Sequence, residues 1–149
     1  MPKKSDKNVN GGRLRKDPPD YFGRLAGNAW RKVVDFLNDN KEIVRVDSGL
    51  VEMYCTQYEM YRNAYQHIQE NGEVQPIYES VQNAAGEILE KDFKGYKRNP
   101  MTQIYSDSIK NLNNIGRELG LSPKSRKELF DGLNDGKEDS LAIVKEMFK

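Results

Sequence analysis

Between Asn99 and Leu129 the chain reads N-P-M-T-Q-I-Y-S-D-S-I-K-N-L-N-N-I-G-R-E-L-G-L-S-P-K-S-R-K-E-L, and this stretch leaves the backbone little choice. Asn99 is a capping residue, and Pro100 at a first helical position gives up no hydrogen bond, since that N–H has no intrahelical partner. Met101, Ile104, Ile109, Leu112, Ile115 and Leu119 recur at three- or four-residue steps, with one step of five. The spacing predicts an amphipathic helix of about six turns. Gly120 offers the left-handed residue that ends a helix, and Leu121 can fold back on the last turn. Ser122-Pro123 repeats the cap-and-proline signal, so a short helix is predicted over Pro123–Leu133, turned sharply from the first.

Two more helices are legible upstream. One is predicted to start at Pro19 or Asp20, with Phe22, Leu25, Ala26, Ala29, Trp30, Val33 and Leu37 on one face, Val34 and Phe36 beside it, and Arg24, Arg31 and Lys32 on the other flanks. Trp30 is expected as a core or interface anchor, because a ring of that size dominates whatever surface it joins. Asp47-Ser48 caps the next helix, where Leu50, Tyr54, Tyr58, Tyr61, Tyr65 and Ile68 repeat at helical spacing until Asn71-Gly72 stops it. A tyrosine stripe can stack bases. Burial with the hydroxyls at a rim or subunit boundary is the commoner use.

Residues 73–98 are less decisive. Ile77, Val81, Ala84, Ala85, Ile88 and Leu89 fit an amphipathic helix, but Pro76 precedes them and Asn83-Ala84-Ala85-Gly86 reads as a turn. The turn and the β-branched residues favour a hairpin near 75–82 and 87–94.

Charge and composition bound the rest. Of 149 residues, 36% are hydrophobic and 32% charged, which is lean for a self-sufficient core. A chain of this length should bury roughly 68–70% of its unfolded surface, so either some of it is not packed or another subunit completes it. Residues 1–19 hold Lys3, Lys4, Lys7, Arg13, Arg15 and Lys16 with little but Val9 and Leu14 to bury, and are expected as a flexible basic arm. The organisation expected is this arm, a helical core and oligomerisation domain over 20–133, and a C-terminal helix within 134–149. Asn134-Asp135-Gly136 breaks the chain before that last helix, predicted over Glu138–Phe148 with Leu141, Val144, Met147 and Phe148 on a narrow apolar face. No apolar run approaches the length of a membrane span, and no signal-peptide core follows the N-terminus. The single cysteine, Cys55, fits a reducing cytoplasm.

Catalytic chemistry is not indicated. Cys55 and His67, the only residues of their types, are twelve apart on one predicted helix. That separates them by about 18 Å along its axis, so they cannot form a nucleophile–base pair within one chain. They also supply no zinc set, and there is no G-x-x-x-x-G-K-[ST] phosphate loop. Asp107, Asp131, Asp135 and Asp139 show no convergent spacing and read as solvated charge. No enzyme activity, metal or cofactor is expected.

Taken in order, V-D-S-G-L at Val46–Leu50, Y-C-x-x-Y-x-x-Y from Tyr54, K-R-N-P at Lys97–Pro100, the helix, and E-L-G-L-S-P-x-S-R from Glu118 resemble the P27 family of phage terminase small subunits. The resemblance covers most of residues 18–132. It implies a mainly α fold, a core of about four to five helices with a small β-hairpin excursion, assembling into an oligomeric ring. It also implies double-stranded viral DNA and the large terminase subunit as partners, in the host bacterial cytoplasm. DNA contacts are expected from Lys3, Lys4, Lys7, Arg13, Arg15, Lys16, Arg24 and Arg31, with Lys124, Arg126 and Lys127 as secondary candidates. Leu141, Val144, Met147 and Phe148 are expected to meet the large subunit. The alternative is a transcriptional regulator with a helix-turn-helix at Ile104–Leu133, although the first helix is long for that motif. A purely structural helical protein is the third possibility.

Overall fold

The computed structural model describes residues 11–40, 43–128, 131, 146 and 147. Helix α1 spans Arg24–Asn40 and α2 spans Ser48–Asn71, the latter preceded by one 3-10 turn at Arg45–Asp47. Strands β1 (Val74–Gln82) and β2 (Ile88–Arg98) form an antiparallel hairpin, and α3 follows over Met101–Glu118. Residues 123–128 are again helical. Among the described residues the fold is mainly α, with three helices, the helical stretch at 123–128 and the hairpin; the expected Pro123–Leu133 helix is described only over 123–128 and at Asp131. Lys3, Lys4 and Lys7, the break at Asn134–Gly136 and the Glu138–Phe148 helix fall outside the described residues, apart from Glu146 and Met147.

The expected punctuation of α3 is present in full. Asn99 Oδ1 accepts the Met101 N–H at 3.0 Å, and Pro100 has φ −57°, already helical. At the other end Gly120 has φ 71°, Gly120 N–H donates to Arg117 O, and Leu121 N–H donates to Gly116 O at 2.8 Å. These two reversed bonds are the Schellman arrangement, and they satisfy carbonyls the helix end would otherwise orphan. Ser122 Oγ then accepts the Ser125 N–H at 3.1 Å, which caps the next turn.

Helix α1 starts later than the sequence suggests. Phe22 N–H donates to Pro19 O at 3.1 Å, a tight turn that holds Tyr21 and Phe22 edge-on, 5.0 Å between centroids. The helix begins only at Arg24, four residues after Asp20 and not at Pro19 or Asp20. The Glu59 carboxylate of α2 lies over Gly23, which places this turn against α2.

Residues 11–19, expected within the flexible arm, lie on the helical body. Leu14 is buried, its N–H donates to Asn38 Oδ1 at 3.0 Å, and its carbonyl accepts from Asn38 Nδ2 at 3.1 Å. Arg15 O accepts from Trp30 Nε1, Arg13 O from Arg45 Nε, and Gly12 O from the Arg45 N–H. The described body therefore reaches back past residue 20. One apolar side chain and several paired backbone groups offset the cost of ordering so polar a segment.

The core sits where the N-terminal half of α2 meets α1 and the end of α3. Leu14, Ala26, Ala29, Trp30, Val34, Leu37, Val51, Cys55 and Leu119 form it, with Ile115 and Leu121 packed against it. Helix α2 lies between the other two and packs on both. Along α3 only Ser108 and Gly116 are buried, so Met101, Ile104, Ile109 and Leu112 remain half-covered. Burial pushes the Cys55 thiol up to about 12. The folded protein is expected to resist alkylation by maleimide at pH 8 and to react fully once urea unfolds it, as mass spectrometry of the adduct will read.

The hairpin stands off this body. Its strands are a little longer than the expected 75–82 and 87–94, and two bulges shift their register, one between Ile77 and Tyr78 and one between Val81 and Gln82. The turn is built by Asn83, whose Oδ1 accepts the N–H groups of Ala85 and Glu87, while Gly86 takes φ 81°. Both faces are open: within the strands only Gln75 and Gly95 are even half-buried. Tyr78, Phe93 and Tyr96 stack on one face, and Lys94 ties Glu79 and Asp92 together at 3.8 and 3.1 Å.

Candidate functional site

A groove runs along the boundary of α1 and α2. One part of it, 280 Å³, is walled by Leu25, Ala29 and Val33 of α1 and floored by Tyr54 and Tyr58 of α2, with Lys32 and Arg62 at its rims. A second part, 550 Å³, continues past Arg24 and Leu25 to Tyr61, Tyr65 and Gln66. The same tyrosines reach α3: Tyr61 and Tyr65 lie 5.5 and 5.9 Å from Tyr105, centroid to centroid, both tilted. The expected tyrosine stripe thus floors a surface channel, with Tyr54, Tyr58 and Tyr61 half-buried and Tyr65 exposed. Burial raises the Tyr54 hydroxyl above its usual pKa, first by desolvation and then through its neighbours Cys55 and Tyr58.

Arg62 was not marked by the sequence pattern, yet it is the central charge of this groove. Four residues after Tyr58, it falls on the same helical face. Its Nη1 donates to the Tyr58 hydroxyl at 3.0 Å and its guanidinium carbon lies 5.9 Å from that ring's centroid. The i,i+4 spacing was the available signal. What gives it meaning is the approach of α1, which no local pattern shows.

The other cations separate into two groups. Arg24 and Arg31, seven residues apart on α1, share an exposed ridge, with Arg31 Nη1 donating to Asn28 Oδ1 at 3.4 Å. Arg13, Arg15 and Lys16 are exposed on the docked segment, and Arg15 and Lys16 border an open 650 Å³ cleft with Trp30, Arg45 and Glu52. Asp17 and Asp20 line the same cleft, so it is mixed in sign. Lys124, Arg126 and Lys127 are exposed after α3, but Arg126 Nη1 donates to Leu121 O at 2.8 Å and Lys124 lies 4.0 Å from Glu128. Trp30 is 2% exposed and edge-on to Phe22 at 5.9 Å, so it anchors the chain's own core. Of the expected partner-binding residues, Leu141, Val144 and Phe148 fall outside the described residues, and Met147 is exposed.

Among the described residues no three His, Cys, Asp or Glu gather as metal ligands, and no helix is long and apolar enough to cross a membrane. His67 Nδ1 and Asn99 Nδ2 lie 3.1 Å apart. Since Asn99 Nδ2 can only donate, His67 Nδ1 is the acceptor, which assigns the imidazole its Nε2–H tautomer.

The family model for the phage terminase small subunit matches residues 26–135, from the first helix through the hairpin and beyond α3. The chain belongs to the phage terminase small subunit family, and with it to phage genome packaging. No curated protein and no solved structure matches the chain.

Proposed function

We propose that this chain is a P27-type small terminase subunit of a tailed bacteriophage, which closes into a ring, holds viral double-stranded DNA and regulates the large subunit carrying the ATPase and nuclease. The family match over 26–135 carries this reading and favours packaging over transcriptional regulation. The protein works as an adaptor in the host bacterial cytoplasm and is not itself the enzyme. Lys3, Lys4, Lys7 and the exposed Arg13, Arg15, Lys16, Arg24 and Arg31 supply phosphate contacts, with Lys124, Arg126 and Lys127 secondary. Each contact is weak in salt, and a ring multiplies weak contacts through shared effective concentration. The half-covered stripe of α3 and the tyrosine channel offer apolar surface for a neighbouring subunit. Leu141, Val144, Met147 and Phe148 dock on the large subunit as a helix in a groove.

The test is DNA affinity against salt, with light scattering on the same sample. Each phosphate neutralised steepens the fall of log K against log salt by roughly 0.9 for duplex DNA. Changing Lys3, Lys4 and Lys7 together to glutamine leaves the docked Leu14 in place and is expected to flatten that slope by roughly 2 to 3 units. An unchanged slope removes the arm from the interface. A monomer or dimer at micromolar concentration defeats the ring.

A further inference from the structure

We infer that the tip of the hairpin inserts into the α1–α2 groove of a second copy of this chain, so that Val81 and Glu90 of one subunit meet Leu25, Val33 and Arg62 of the next. The inference rests on the proposed assembly and names the two surfaces that make it.

The hairpin has apolar surface and no cover for it. Ile77, Val81, Ile88 and Leu89 are between 37% and 66% exposed. Its strands of nine and eleven residues extend roughly 30 Å at about 3.3 Å per residue, enough to reach across a neighbouring domain. The two faces differ in sign. Tyr78, Phe93 and Tyr96 pack edge-on against one another on the first, an aromatic face that carries no carboxylate paired to Lys94 and stays 49–68% exposed. The second holds Ile77, Glu79 and Val81 opposite Gly95, Asp92 and Glu90. Lys94 pairs with both Glu79 and Asp92 and leaves that trio one charge negative, and Glu90, directly across from Val81, has no cation partner among the described residues. The exposed end of this face is therefore one aliphatic group beside one carboxylate.

The groove presents the opposite set. Its wall is Leu25, Ala29 and Val33, and its rim cations Lys32 and Arg62 have no carboxylate within 4 Å among the described residues. The hairpin leaves the body at the far end of α2 and does not turn back over its own groove. A contact in which one patch of each copy meets a different patch of the next is heterologous, and it propagates around a ring when the rotation closes. It occupies both surfaces in every subunit at once.

Charge reversal in the full-length protein tests the pairing. Glu90→Lys sets a cation against a cationic groove, and Arg62→Glu sets a carboxylate against the native tip. Each alone is expected to raise the concentration at which assemblies dissociate by about tenfold or more, since like charges at an interface are strongly disfavoured. Both changes in one chain restore the opposite-sign pair and are expected to return that concentration close to the parent's. Native mass spectrometry reads the assemblies, and circular dichroism confirms that each variant keeps its helices. Single variants that assemble as the parent does, or a double variant that is not rescued, overturn the inference while leaving the ring intact. So does an Arg62→Glu protein that assembles normally but loses DNA, because the groove is then a phosphate site. A parent that is monomeric throughout overturns the assembly itself.

Discussion

Trp30→Ala is expected to remove about 3–5 kcal/mol of stability, a large share of the roughly 5–15 kcal/mol that holds a small domain together. The loss is severe because the core around it is thin. Two of its nine buried residues are Ala26 and Ala29, and none besides Trp30 is aromatic, so the indole contributes more apolar surface than any of its neighbours. The same side chain fastens the N-terminal segment, through the Nε1–H bond to Arg15 O at 3.1 Å. Two readouts follow from that double role. Urea denaturation followed by circular dichroism should show the drop in midpoint. Trypsin should cut at Arg15 and Lys16 well before the helices unfold, because the exposed cleavage sites lose their anchor. Trp30→Phe keeps most of the ring and loses the bond, so it should fall between the two. A Trp30→Ala protein within 1 kcal/mol of the parent would show that the cavity collapses freely and that the core is not organised around this residue.

Asn99→Ala is expected to cost about 2–4 kcal/mol, although only one amide disappears. That amide is fully buried and makes three bonds: Nδ2 donates to Gly72 O at 2.9 Å and to His67 Nδ1 at 3.1 Å, and Oδ1 accepts from Met101 N. Each net bond contributes about 1 kcal/mol, and a buried group left without a partner costs about 1–3. The effect should be local before it is global. Hydrogen exchange should rise first at the Asn99 and Met101 amides and across the hairpin base, with the α1–α2 core protected until full unfolding. Asn99→Asp is no substitute, because it keeps the acceptor and loses both donors while burying a charge. His67→Ala removes a single bond and should cost about 1 kcal/mol. Equal losses for Asn99→Ala and His67→Ala would contradict the arrangement.

What could be read from the sequence divides along one line, the distance over which the deciding contacts act. The Asn99 cap, the Gly120 turn and the Ser122 cap are settled by bonds within five residues, and all are where the pattern puts them. The hairpin was legible from its Asn83–Gly86 turn, but its bulges were not, because register depends on both strands together. Leu14 was lost in a run of lysines and arginines, since its partner Asn38 is twenty-four residues away. The start of α1 was misplaced for a related reason. Phe22 continues the helical stripe, yet Pro19 O captures its N–H. The candidate site followed the same rule. Individual charges could be picked out, whereas the groove that makes Arg62 important exists only once α1 lies along α2.

The clasp at Asn99 separates two kinds of change. Asn99 N–H donates to Glu73 O at 2.9 Å, and its side chain donates to Gly72 O, so the chain departs for the hairpin and returns from it at a single knot. Everything between those residues is an excursion whose ends are already held together. Doubling the length of a closed loop costs only about 0.6 kcal/mol in closure entropy, and here the knot fixes the ends regardless. Strands could be lengthened, shortened or exchanged for those of another protein with α2 and α3 hardly affected. A lineage that must keep its helices while tracking a changing neighbour has, in this knot, a place where reach can drift and the scaffold need not.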